Sequence, residues 1–439
     1  MSFLRCFILV LCIGCIKDPG KLPTSNLNSN SGTTSGGSSG GSTVVLIDDP
    51  LASYAWHLKN TGQSSFSTSV GTAGEDINLE SIVLQGARGR GVRVAVSDTG
   101  VQTTHPDLAA NELPNEHRNY AFASPLSWRN VASPIPSGGE AHGTAVTGLI
   151  AALGWNGIGS RGIAPEAKYA GFSFVVTYPA TVTSLTTRAI DQTDGDFDIF
   201  NYSYGYGGCQ FFQPDALINE AIEDGVTNLR DGKGAIYVQS GGNSYLSSLD
   251  DCMGMVLGGF NFYGNTNVTS DLASPHKIVV GAVNALGLVS SYSTPGSGLW
   301  VSAPGGEFGT TSPAMVTTDI TSCSFGMSIK NTILNDFNAG RSSLNSTCDY
   351  TSKMNGSSSA APVTSGVVAL MLEANPNLSW RDVKHILAMT SEQLDIVEPF
   401  NITNKLFHPE GFDLPLYDYD EKWVINAAGM RFSLSLIHI

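Results

Sequence analysis

The chain is predicted to be an α/β protein, with a mostly parallel central sheet and helices on both faces. Three observations carry this. Short, continuous apolar runs end repeatedly at a small, polar or acidic residue, as strands buried on both faces do. Helical segments fall between those runs. Charged residues are only 14% of the chain, glycine is abundant (49 residues) and hydrophobic content is 41%, which describes a loop-rich globular fold and not a disordered one.

Taken in order, residues 91–98 form a buried strand whose carboxyl end presents Asp98, followed by Thr99-Gly100. Residues 145–153 are small and apolar after His142-Gly143-Thr144, and read as a buried helix. Residues 197–203 form a strand ending at Gly205, and 215–224 a helix. Residues 234–240 form the next strand, which runs into Gly241-Gly242-Asn243. Residues 277–283 and 299–303 add two more strands. Last, Asn355-Gly356 sets a tight turn, three serines follow, and 363–372 continue as a small-residue apolar helix. Ligands in such sheets bind beyond the carboxyl ends of the strands. Asp98, Ser203, Gly205 and Asn243 all fall at ends of that kind. No internal repeat is present.

At 439 residues, length alone suggests about two or three domains, although single α/β domains reach this size. The net charge of −15 argues against a nucleic-acid partner, since phosphate binding needs clustered Lys and Arg. It suits an extracytoplasmic protein; calcium binding or cationic substrates would account for it equally well. At the N-terminus Arg5 precedes an apolar run, 6–13, too short to span a membrane as a helix. The run ends at Gly14-Cys15. A small residue before a cysteine at this point resembles the lipobox of bacterial lipoproteins, with Cys12 where leucine is usual. Cys15 is the expected lipidation site and ordinary signal cleavage the alternative. Residues 1–15 are therefore read as a signal peptide and 16–47 as a flexible tether, Ser/Gly/Asn-rich from Lys21 to Val44. The only membrane attachment expected is through that lipid. Four cysteines lie beyond the targeting segment, without C-x-x-C spacing, which disfavours zinc. In an exported protein they suggest two disulfides. Cys323–Cys348 closes a local loop and is preferred, leaving Cys209–Cys252, with the other connectivities open.

Four of these positions suit one chemistry. A serine at a helix N-terminus sits in a positive field beside free N–H groups, useful where an oxyanion develops. Ser358 would attack a carbonyl, His142 take its proton, Asp98 hold the imidazole tautomer and Asn243 donate to the oxyanion. Each residue also has a structural reading: an N-cap serine, a turn aspartate, a helix-capping histidine, a turn asparagine. Their joint occurrence, each in its own context, favours the chemistry.

The segments Val94-Ala95-Val96-Ser97-Asp98-Thr99-Gly100, His105-Pro106-Asp107-Leu108, His142-Gly143-Thr144-Ala145-Val146-Thr147-Gly148 and Gly356-Ser357-Ser358-Ser359-Ala360-Ala361-Pro362 together resemble the signatures of subtilisin-like serine proteases. The chain order Asp, His, Ser is theirs as well. The kexin/furin branch is the most similar: Asp49-Pro50-Leu51, Trp56-His57-Leu58 and 372–383 look like segments of that branch. The resemblance covers about residues 48 to 431, the expected peptidase domain. It implies the three-layer subtilisin-like fold, serine endopeptidase activity, a polypeptide substrate and a monomer. The family's nucleophile lies four residues before the proline, which selects Ser358 over Ser357 and Ser359; family members usually have threonine at 357. Ser203-Tyr204-Gly205 and Ser240-Gly241-Gly242 are similar to the two segments that pair with an extended substrate backbone. Calcium is implied too, on Asp49, Asp107 and Asn156 with carbonyls around Leu153, Ile158 and Ser160.

The chain departs from that branch where acids read paired basic residues. Thr99 follows the catalytic-type aspartate, Gly139 stands three residues before His142, Tyr206-Gly207-Gly208-Cys209 follows Gly205, and Tyr263 replaces an aspartate. A lysine or arginine buried without a carboxylate would be strongly penalised, so neutral or apolar specificity is expected. The branch's folding propeptide and β-sandwich domain are not recognised, and residues 432–439 match nothing expected and read as a truncated tail. A catalytically silent protease-like surface protein and a narrow processing protease are the alternatives.

Overall fold

The computed structural model describes residues 48–122, 125–131, 140–175, 182–205, 215–245, 265–330, 332 and 335–392, and the backbone of 424–425 and 431–432. A seven-stranded sheet organises them: β1 (Arg93–Asp98), β2 (Arg118–Asn119), β3 (Lys168–Ser173), β4 (Ile199–Tyr202), β5 (Ile236–Ser240), β6 (Lys277–Val283) and β7 (Val301–Pro304). Their spatial order is β2-β3-β1-β4-β5-β6-β7, and every neighbouring pair is parallel. The chain leaves β1 toward β3 on one side and returns to β4 on the other. That reversal is a topological switch point, where open α/β sheets bind ligands, and it lies next to Asp98.

Helices flank both faces. They are α1 (Glu80–Leu84), α2 (His142–Ala151), α3 (Val182–Asp191), α4 (Ala216–Asn228), α5 (Ser357–Ala374) and α6 (Trp380–Thr390). Alternation along β4 separates the faces. Asn201 accepts from the Ser365 hydroxyl of α5 at 2.9 Å. Its neighbour Phe200 points the other way and stacks on Tyr237 at 5.0 Å. The Tyr237 hydroxyl donates to the Thr193 carbonyl just past α3 at 2.6 Å. A Cβ on Gly225 of α4 would lie 1.8 Å from that same hydroxyl, so the glycine lets α4 approach the sheet. α2 and α5 therefore cover one face, and α3 and α4 the other.

Several elements differ from their sequence reading. α2 begins at His142, three residues before the predicted start, which places the imidazole on the first residue of the helix. α5 begins at Ser357 and carries Pro362 inside it. β3, with Lys168 at one end and Gly171 inside, and the two-residue β2 gave no recognisable run. A second sheet, the antiparallel pair β8 (Met315–Thr318) and β9 (Tyr350–Met354), lies in the long stretch between Asn243 and Ser358. Its threonines are buried yet satisfied: Thr317 and Thr318 donate to the Ala145 and Thr144 carbonyls of α2 at 2.9 and 2.8 Å. A two-stranded pair of β10 (Val424–Ile425) and β11 (Arg431–Phe432) completes the strands described. The predicted Cys323–Cys348 disulfide is formed. Cys15, Cys209 and Cys252, the targeting segment, the tether and residues 433–439 of the tail lie outside the described residues.

Candidate active site

Asp98 ends β1 and is fully buried. Its Oδ1 accepts from the Thr99 N–H at 2.7 Å and is 2.7 Å from His142 Nδ1. The contact needs glycine at 143: a Cβ there would sit 2.2 Å from the Gly100 carbonyl oxygen and 3.0 Å from the Asp98 Cβ. Thr99 supports it too, since its hydroxyl oxygen accepts the Gly143 N–H at 3.1 Å and ties the start of α2 to the end of β1. Burial pulls the His142 pKa down, but the adjacent Asp98 charge and hydrogen bond, with a smaller contribution from Glu140, outweigh it and leave the imidazole above its ordinary value.

Ser358 is the second residue of α5, and its hydroxyl donates to the Ser203 carbonyl at 3.0 Å. No hydrogen bond joins it to His142 in this arrangement. The turn before α5 is built on Gly356 at φ +100°, where a Cβ would also press on Asn243 Nδ2 at 2.9 Å. The Gly356 N–H is held by the Tyr292 hydroxyl at 2.7 Å. Asn243 Oδ1 accepts both the N–H of Ser357, at 2.8 Å, and its hydroxyl, at 3.0 Å. The Ser357 hydroxyl in turn accepts the Gly242 N–H at 2.9 Å. With Oδ1 engaged, the Asn243 amide nitrogen is the half left to face a ligand. The Ser358 N–H, in the first turn of α5, has no acceptor among the described residues.

The site therefore gathers Asp98, His142, Ser358 and Asn243 at the carboxyl ends of β1, β4 and β5 and the N-termini of α2 and α5. The two backbone segments beside it are partly committed. The Tyr204 carbonyl accepts from the Gln239 side chain and from Ser240, the Gly241 N–H donates to Val280, and Gly242 exchanges bonds with Ser357 and Thr294. Gly205 remains exposed. Thr99, Ser357 and Tyr292 were not foreseen in these roles; only the threonine usual at 357 pointed toward a hydroxyl there. Gly139, 206–209 and Tyr263 lie outside the described residues.

The positions expected to hold calcium converge elsewhere, at the C-terminal end of α2. Asp49 accepts the Trp155 and Asn156 N–H groups at 2.8 and 3.0 Å and pairs with Arg161 at 3.2 Å. Asp107 accepts from the Asn156 amide at 2.7 Å and from the Tyr350 hydroxyl at 3.3 Å. Burial, opposed by the Asn156 hydrogen bond and reinforced by the Asp49 charge, pushes the Asp107 carboxyl up to about 7. The carbonyls of Leu153, Ile158 and Ser160 accept no hydrogen bond among the described residues. Two buried carboxylates bridged by Asn156, with unused carbonyls on the same loop, form an all-oxygen donor set, which fits a hard cation such as calcium. No group of three or more His, Cys, Asp or Glu is placed to hold a metal among the described residues.

Comparison with known proteins agrees with the fold. The subtilase family profile matches residues 89–411, and the chain belongs to that family. It is 34% identical over 408 residues to the Aeromonas extracellular serine protease of Aeromonas sobria, covering 88% of this chain and 61% of that protein. It is 29% identical over 394 residues to neuroendocrine convertase 2 of Bos taurus, covering 88% of this chain and half of the relative. The crystal structure of the Aeromonas sobria serine protease superimposes with a TM-score of 0.74 at 32% identity, over 94% of this chain and 69% of that one. The same protease in complex with a chaperone also gives a TM-score of 0.74, at 33% identity, over 89% of this chain and 65% of that one. The chain thus spans about three fifths of its first curated relative or less.

Proposed function

We propose that this subtilase is an exported serine endopeptidase acting through Asp98, His142 and Ser358. The observation that carries the reading is the 2.7 Å Asp98–His142 contact at the switch point of the sheet, beside a serine on a helix N-terminus. On substrate binding the Ser358 hydroxyl leaves the Ser203 carbonyl, which then receives a backbone N–H of the extended peptide. Ser358 Oγ attacks the scissile carbonyl carbon and its proton passes to His142 Nε2. Asp98 keeps the proton on Nδ1 and stabilises the imidazolium. The oxyanion is met by Asn243 Nδ2 and the Ser358 N–H. Collapse expels the amine, which takes the proton from His142, and water releases the acyl group by the same steps in reverse.

Kexin-like ancestry is supported by the similarity to neuroendocrine convertase 2, but dibasic specificity is not expected. Thr99 occupies the position of an acid and is used to hold Gly143. The wall beside Asp98 is apolar: Phe174 and Val175 donate their N–H groups to the Asp98 carbonyl, and Phe174 stacks on Tyr204 at 5.1 Å. Cleavage of a peptide library tests this. Hydrolysis after neutral or apolar residues is expected; strict cleavage after Lys-Arg or Arg-Arg would contradict it. Calcium, held by Asp49, Asp107, Asn156 and the carbonyls of Leu153, Ile158 and Ser160, would hold the N-terminal segment of the domain to the end of α2. Export, by signal cleavage or with a lipid on Cys15, accords with the apolar run 6–13 and with a relative named as extracellular.

A further inference from the structure

At the end of the sheet opposite the candidate active site, where β6 begins, lies a cavity of about 460 Å³. Leu272, Pro275, Trp300, Trp380, Arg381 and Lys384 line it. The cations there are unusual for a chain of net charge −15. Lys277 pairs with Asp271 at 3.6 Å. Lys384 is buried and faces no carboxylate among the described residues. Its ammonium donates to the Pro275 and Lys277 carbonyls at 2.7 and 3.0 Å and sits 4.1 Å from the centre of the Trp300 ring. Arg381 lies three residues away on the same stripe of α6, exposed and stacked over Trp380 at 4.3 Å. It too has no acidic partner among the described residues, and the nearby Asp382 is engaged in capping α6 through Ser379.

A buried ammonium needs a countercharge. Two carbonyl dipoles satisfy hydrogen bonds of Lys384 but not its charge, and burial pulls its pKa down to about 8. The indoles beside it supply a broad apolar surface. We propose that this cavity binds an apolar carboxylate, its anionic end on Lys384 and Arg381 and its hydrocarbon body against Trp300 and Trp380. Such a ligand is either a free aryl or alkyl acid or the C-terminal carboxylate of a short apolar peptide. The inference is independent of the proposed peptidase activity.

Calorimetric titration of the full chain tests it, with 3-phenylpropionate and with the peptide Gly-Gly-Phe, each beside its amide. Saturable binding of at least one acid is expected, about tenfold or more weaker for its amide. The same loss is expected in Arg381→Gln, an exposed position whose replacement leaves the fold intact, and in Lys384→Met. The tighter of the two acids identifies the source of the ligand. Failure of both acids to saturate, equal binding of acid and amide, or unchanged affinity in Arg381→Gln would overturn the proposal.

Discussion

Ser357 makes three hydrogen bonds on which a reactive Ser358 depends. Its N–H and hydroxyl fix the Asn243 amide, and its oxygen takes the Gly242 N–H. Replacement by alanine leaves one orientation of Asn243 poorly held while touching no substrate. Ser357→Ala is therefore expected to lower kcat about tenfold with little change in KM, a loss of order 1 kcal/mol or slightly more. Ser357→Thr, which keeps the hydroxyl, is expected to restore it. Steady-state kinetics on one peptide separates the two constants. His142 offers a second test at this scale. It must be neutral to accept a proton, so kcat/KM rises with pH through its pKa. Because Asp98 holds that pKa above its ordinary value, the midpoint is expected above about 6.5. Asp98→Asn removes the charge and leaves the burial, so its midpoint moves to lower pH while the rate falls by about 10⁴-fold, the scale for triads of this kind. Asp98, His142, Ser358 and Asn243 were legible because each sits in a specific local string. The partners that Thr99 and Ser357 hold were not, because they lie 44 and 114 residues away along the chain.

Among the elements, α2 is where sequence and structure part most instructively. The apolar pattern starts at Ala145, but the helix starts at His142. The extra turn is fixed by tertiary contacts: Thr99 accepts the Gly143 N–H, and the glycine admits the Gly100 carbonyl. Gly143→Ala places a Cβ 2.2 Å from backbone that cannot yield cheaply. It is expected to cost about 1–3 kcal/mol, read as a lower midpoint in denaturant with an unchanged slope. β6 could be read because Ile278, Val279, Val280 and Val283 give it a run of buried β-branched residues. β3 could not, because Lys168–Ser173 contains no β-branched residue, and in the β8–β9 pair the burial of Thr317 and Thr318 is explained by the α2 carbonyls they bond. The Cys323–Cys348 disulfide closes the chain between those two strands, with a sequence separation of 25. Its removal in Cys323→Ser is expected to cost about 3 kcal/mol by loop entropy, seen as a fall in Tm.

For the whole molecule, the sheet places one set of side chains at its carboxyl ends and a cationic cavity at its amino ends. The cluster of Asp49 and Asp107 lies past the C-terminal end of α2. Arg161 already neutralises part of it by reaching Asp49 at 3.2 Å. Calcium at a hundred times its Kd is expected to stabilise the fold by about 2.7 kcal/mol, so chelation lowers Tm. Arg161→Met, which frees Asp49, is expected to tighten calcium and enlarge that shift; an unchanged Tm on chelation of both proteins would contradict the assignment. The central claim is that Ser358 is the nucleophile. Its most direct test is reaction of the folded chain with a fluorophosphonate, followed by peptide mapping. The account predicts a single adduct on Ser358, absent in Ser358→Ala and formed far more slowly in Asp98→Asn. A folded protein that takes no label, or that carries it on another residue, would contradict it.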